Sequence, residues 1–200
     1  VTLLFSCAQY QAAAEAHQRG IERRLAAGMD PGVHSVASLF ISRWDVAANP
    51  VLPPPLQNQL GIAVAAQTYQ AYRRLLASPR WHGLAAAGAP AQRLLWASTG
   101  AKDPKSPDTF YVDALAVPGT INTMPEKTLL AFAAHSQIQP SLTGASATAI
   151  IVACRQAGID TDALADRLQR EGTDAFIASW RTLLDHIAAK TPASAQAGMR

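Results

Sequence analysis

Two hundred residues, 49% hydrophobic and 16% charged, supply enough apolar material for a packed core and too little charge for a disordered chain. The formal net charge is only +3. The basic residues, among them Arg19, Arg23, Arg73, Arg80 and Arg170, are scattered, which argues against a nucleic-acid partner. No apolar run is long enough to span a bilayer, so no membrane partner is expected. Cys7 and Cys154 form no CxxC pair and lie near no histidine at metal spacing. They read as buried free thiols of a cytoplasmic protein, and neither metal nor cofactor is expected. The chain opens on Val1 inside an apolar run, where a natural start is usually polar and loose, so further sequence is expected upstream.

Residues 1–6 (VTLLFS) lack a helical period, which suits a strand buried on both faces. Residues 8–27 follow as a helix ending at Gly28, with Glu15, Arg19, Glu22 and Arg23 on its wet side. Residues 35–42 (SVASLFIS) read as the second strand. The stretch 49–60 (NPVLPPPLQNQL) holds three consecutive prolines, which remove donors and lock φ, so it predicts a stiff surface loop. A helix over 61–76 and a short helical piece over 80–87 precede a third strand at 93–99 (RLLWAST). A polar loop, 100–108, leads to a short helix over 110–116, and 120–123 (TINT) reads as a fourth strand. Pro125 and Glu126 suit a helix start. The remainder to Lys190 reads as ordinarily amphipathic helices broken at Gly144, Gly158 and Gly172. Residues 191–200, small and polar, are expected to form a loose tail outside a single 1–190 domain.

Strands alternating with helices imply βαβ units and a parallel sheet. An open doubly wound sheet and a barrel both fit. No Gly-rich phosphate loop follows any strand, and the strands end in Ser6, Ser42–Arg43, Ser98–Thr99 and Thr123. Both observations favour an α/β fold of the TIM (β/α)8 barrel type, whose active site lies at the C-terminal strand ends. This chain would supply about the last four β/α units plus C-terminal helices.

Several residues near those ends invite chemistry. Thr2 places a hydroxyl inside a strand, where it needs a partner; a local hydrogen bond satisfies it as readily as a function. Ser38 lies within the second strand. Arg43, just past its end, suits bidentate phosphate binding or an ion pair with Asp45 or another surface carboxylate. Ser98, Thr99 and Lys102 close the third strand. Gly100 would let the backbone turn sharply there, and Lys102 is either an anion ligand or a solvated neighbour of Asp103. His17, His34, His82, His135 and His186 pair with no carboxylate at catalytic spacing.

Taken in register, VTLLFSCAQ, SVASLFISRWD, LLWASTGAKDP and TINTMPEKTL resemble the transaldolase family, in the branch whose third segment reads WAST. Glu171, Gly172 and Phe176 fit its helical C-terminus. The resemblance implies a class I aldolase barrel that moves a dihydroxyacetone unit between sugar phosphates through a lysine Schiff base. That lysine would lie ahead of Val1, and none of Lys102, Lys105, Lys127 or Lys190 stands at its place. Implied for this half are Thr2 on the catalytic water, Ser38 on the dihydroxyacetone part and Phe40 lining the pocket. Arg43 and Ser98 would hold the phosphate, with Lys102 standing in for a family arginine whose aligned position holds Gly100. Two other readings compete: a non-catalytic sugar-phosphate-binding fragment, whose half barrel would expose raw strand edges, and a helical interaction module, which would need an exposed apolar stripe over 161–189.

Overall fold

The computed structural model describes residues 1–138 and 144–190. Its element order is α1 (Cys7–Ala26), β1 (Val36–Phe40), α2 (Ser42–Ala48), α3 (Leu60–Leu76), α4 (Pro79–Ala86), β2 (Arg93–Ala97), α5 (Phe110–Ala114), β3 (Thr120–Asn122), α6 (Glu126–His135), α7 (Gly144–Gln156) and α8 (Thr161–Lys190). The sheet is parallel and open, in the order β1-β2-β3. Ala37 pairs with Leu94, Leu39 with Trp96 and Trp96 with Asn122. No helix among the described residues is long and apolar enough to cross a membrane.

Alternation along the strands separates two faces. Ala37, Leu39, Leu94 and Trp96 are fully buried on the face covered by α3, where Tyr69 lies 6.5 Å from the Trp96 ring, centroid to centroid. Each large side chain so buried contributes about 1.5–3 kcal/mol. Val36, Ser38 and Phe40 point to the opposite face with Leu95, where burial is less complete. Tyr69 and Tyr72 of α3 donate to the carbonyls of Pro118 and Gly119, which anchors the chain entering β3.

The expected first strand is not formed. Only Leu4 makes a bridge, to Leu39. Ser38 N–H donates to Val1 O, Leu4 N–H donates to Ser38 O, and Phe40 N–H donates to Leu4 O. A regular parallel ladder would bond residues two apart on either side of Ser38; here they are three apart. One extra residue is therefore accommodated as a bulge, and Leu3 takes φ +58° to do so. The run ends where expected because Ser6 caps α1: its Oγ accepts from Gln9 N–H, while the Gln9 side chain accepts from Phe5 N–H.

Other expectations shift in smaller ways. Ser42 belongs to α2 rather than to a strand, and β2 ends at Ala97. The Pro-rich stretch contains a 3-10 turn, Pro54–Leu56, and buries Leu52. Cys154 is buried, but Cys7 is only half-buried. Gly172 does not break the helix, because α8 runs through it; a Cβ there would come within 3.0 Å of the Leu3 side chain, so its role is close approach. Gly158 does end α7, at φ +96°. The expected tail, 191–200, lies outside the described residues.

Candidate active site

The C-terminal ends of β1 and β2 come together through more than the ladder. Ile41 and Ser42 N–H donate to the carbonyls of Ala97 and Ser98. The Ser42 and Ser98 hydroxyls share a hydrogen bond of 2.8 Å, with Ser42 fully buried and Ser98 at φ +57°. A non-glycine residue in that region stores strain that its surroundings must hold. Thr99, also fully buried, places Oγ1 2.8 Å from both Asn122 Oδ1 and Thr123 O, which ties the end of β2 to that of β3.

Arg43 occupies the first turn of α2, directly beyond this junction, and is exposed. No ion pair among the described residues includes Arg43 or Lys102. The alternative pairing with Asp45 fails because Asp45 points into the core. It is 1% exposed and accepts from Gly61 N–H at 3.1 Å and Tyr111 Oη–H at 2.8 Å. Burial pushes its carboxyl up from the ordinary range, against the donors from Gly61 and Tyr111. Trp44 is also fixed, its Nε1 donating to Phe5 O at 2.8 Å.

Ser38 and Phe40 share one face of β1. Ser38 is buried, and Phe40 lies 5.3 Å from Phe5, ring to ring. Lys102 is exposed on the loop after β2. Asp103 is not its partner: the Asp103 carboxylate accepts from Asn58 Nδ2 at 2.8 Å and Lys105 N–H at 2.9 Å. Asn58, at φ +60°, is in turn paired with Asn49 through two hydrogen bonds, so the Lys102 loop is latched to the Pro-rich stretch. Gly100 does not turn through positive φ. It is small because a Cβ would meet the Pro125 ring at 3.3 Å.

Thr2 stands apart from this cluster. It is exposed at the bulge and lines a cavity of about 400 Å³ with Leu3 and α8 residues Gln169, Arg170, Thr173 and Asp174. The expectation that no histidine meets a carboxylate is corrected by His135, whose Nε2 lies 2.9 Å from Asp108 Oδ1 on the surface. Sequence reasoning weighed Asp45 only as a partner of Arg43 and missed Tyr111 and Asn58. Their only sequence signal was a charged residue in an apolar context for Asp45, and nothing for the other two, whose partners lie 66 and 45 residues away.

Residues 1–187 match the family model described as transaldolase/fructose-6-phosphate aldolase. The chain is 43% identical over 199 residues to Transaldolase 1 of Streptomyces avermitilis, covering 94% of this chain and 53% of that protein. It is 42% identical to a transaldolase of Renibacterium salmoninarum, with the same coverage. A transaldolase of Neisseria meningitidis is 44% identical over 187 residues, or 92% of this chain and 53% of the relative. The chain thus spans about half the length of the curated relatives it matches. By a match running through both strand-end segments and the long C-terminal helix, the chain belongs to the transaldolase/fructose-6-phosphate aldolase family.

Proposed function

We propose that these residues form the phosphate-holding part of a transaldolase, contributing about the last four units of a (β/α)8 barrel. The reaction is transfer of a dihydroxyacetone unit from sedoheptulose 7-phosphate to glyceraldehyde 3-phosphate, giving erythrose 4-phosphate and fructose 6-phosphate, in the cytoplasmic pentose phosphate pathway. The observation that carries this reading is an exposed Arg43 with no ion-pair partner among the described residues, on a short helix bolted to the β1–β2 strand ends. A guanidinium held that way suits a doubly charged phosphate. Ser98 and Lys102 add a hydroxyl and a second cation from the neighbouring strand end. Ser38 and Phe40 line the way from the phosphate to the dihydroxyacetone carbons, and Thr2 serves the catalytic water.

The lysine that forms the Schiff base lies outside this chain. Its amine adds to the substrate ketone and water leaves, so the residues here align the carbonyl rather than react with it. Binding energy from the phosphate is spent on that alignment. Trapping tests the assignment. Full-length protein incubated with fructose 6-phosphate and borohydride should gain a stable adduct on a lysine that is not among residues 1–200. An adduct on Lys102, or none at all, would sink the reading.

The exposed face of α8 is the observation that favours a helical interaction module. It supplies no account of the strand-end cluster, so the enzymatic reading stands first.

A further inference from the structure

The polar side chains of α2 are tied down except Arg43, the one that matters for a ligand. Ser42, Trp44, Asp45 and Ala48 are buried, while Arg43 and Val46 face outward. Ser42 bonds Ser98, and Trp44 bonds the Phe5 carbonyl, so both ties lead to strands or their continuations. Asp45 ties α2 to two other helices by hydrogen bonds. One carboxylate oxygen accepts from Gly61 in the first turn of α3, and the other from Tyr111 of α5. Gly61 leaves no slack in this joint, since a Cβ there would sit 2.8 Å from Asp45 Oδ2 and 2.8 Å from Ile41 O.

A buried carboxylate is an expensive way to join helices when an apolar contact would do. Its advantage is directional: two acceptor bonds, of 3.1 and 2.8 Å to different helices, set both the position and the rotation of a helix of seven residues. Rotation of α2 decides where Arg43 points.

We propose that Asp45 is a positioning residue for phosphate recognition, holding α2 against Gly61 and Tyr111 so that the Arg43 guanidinium is presented beyond the strand ends. The inference rests on the reading of Arg43 as the phosphate ligand. Asp45 touches no substrate and acts only through Arg43.

The test uses the full-length protein with fructose 6-phosphate as donor, comparing Arg43→Ala, Asp45→Asn, the double variant and Tyr111→Phe. Arg43→Ala should raise KM roughly 10- to 100-fold, and Asp45→Asn about 5- to 20-fold with kcat changed less than about twofold. In the Arg43→Ala background, Asp45→Asn should add less than about twofold, because the group it positions is gone. Tyr111→Phe removes a single hydroxyl and keeps the packing, so it carries the test if Asp45→Asn folds poorly; its KM should rise about threefold, again only when Arg43 is present. A merely structural Asp45 would lower kcat or stability and leave KM unmoved, or would act with equal size whether or not Arg43 is present. Either result overturns the proposal while leaving the Arg43 assignment intact. An unchanged KM in Arg43→Ala would remove the phosphate reading itself, and this inference with it.

Discussion

Arg43 and Asp45 stand two residues apart, and by sequence a pair between them was one alternative to phosphate binding. They differ because α2 turns one outward and the other into the core, a separation that helical geometry imposes on i and i+2 neighbours. His17 shows the same kind of surprise. Its Nε2 is buried without a partner, and burial holds its pKa below the usual 6.5. The unfolded chain therefore binds that proton more readily than the native one. Native stability from His17 is fully present above about pH 6.5 and is lost as the pH falls through the lowered native value. Thermal melts across pH 5–8 should show Tm falling on the acid side, and His17→Gln should flatten that slope. A slope unchanged in the variant would assign the acid sensitivity elsewhere.

Apolar runs flanked by polar residues made β1 and β2 legible, because a strand covered by helices reads as a continuous hydrophobic stretch, whereas β3 carries a single apolar residue, Ile121. Residues 1–6 carry the same pattern but make a single bridge. Composition cannot reveal the bulge at Leu3, which depends on how β1 offers its hydrogen bonds. Helix junctions are equally hidden. Gly61 looked like an ordinary helix start, yet α3 approaches the start of α2 there with no room for a Cβ. Gly61→Ala should destabilise the protein by roughly 1–3 kcal/mol, since the added methyl meets a carbonyl and a carboxylate with no flexible end to yield. For a chain of this size that is about 2–4 °C of Tm per kcal/mol, read by calorimetry. A Tm within error of the parent would mean that the joint is looser than its distances imply.

The α8 helix is about 45 Å long, at 1.5 Å per residue over its 30 residues. Its first turns bury Thr161, Leu164, Ala165 and Leu168. From 173 to 190 every residue is exposed, including Phe176, Ile177, Trp180, Leu183, Leu184 and Ile187. That stripe contradicts the expectation of ordinary amphipathic helices there: the pattern is amphipathic, but its apolar side faces solvent. A contiguous apolar patch of this kind binds hydrophobic dyes. The 200-residue chain should enhance anilinonaphthalene sulfonate fluorescence, and Trp180→Glu with Leu184→Glu should remove most of the enhancement while leaving the far-ultraviolet circular dichroism in place. Equal dye binding by parent and variant would locate the exposed surface elsewhere, such as the less covered face of the sheet.

By itself the sequence determined an α/β class with a parallel sheet, the places of β1, β2 and β3, and the family, because each is written in local patterns: hydrophobic period, proline and glycine placement, and four motifs in register. It also marked Ser38, Phe40, Arg43, Ser98 and Lys102 as neighbours of strand ends. Tertiary structure alone decided that Ser42 and Ser98 share a hydrogen bond, that Asn58 latches the Lys102 loop, that Thr2 opens toward α8, and that Asp45 locks α2 to α3 and α5. Those contacts join residues tens of positions apart. Their existence depends on rotation and register between packed elements, quantities that no local pattern encodes.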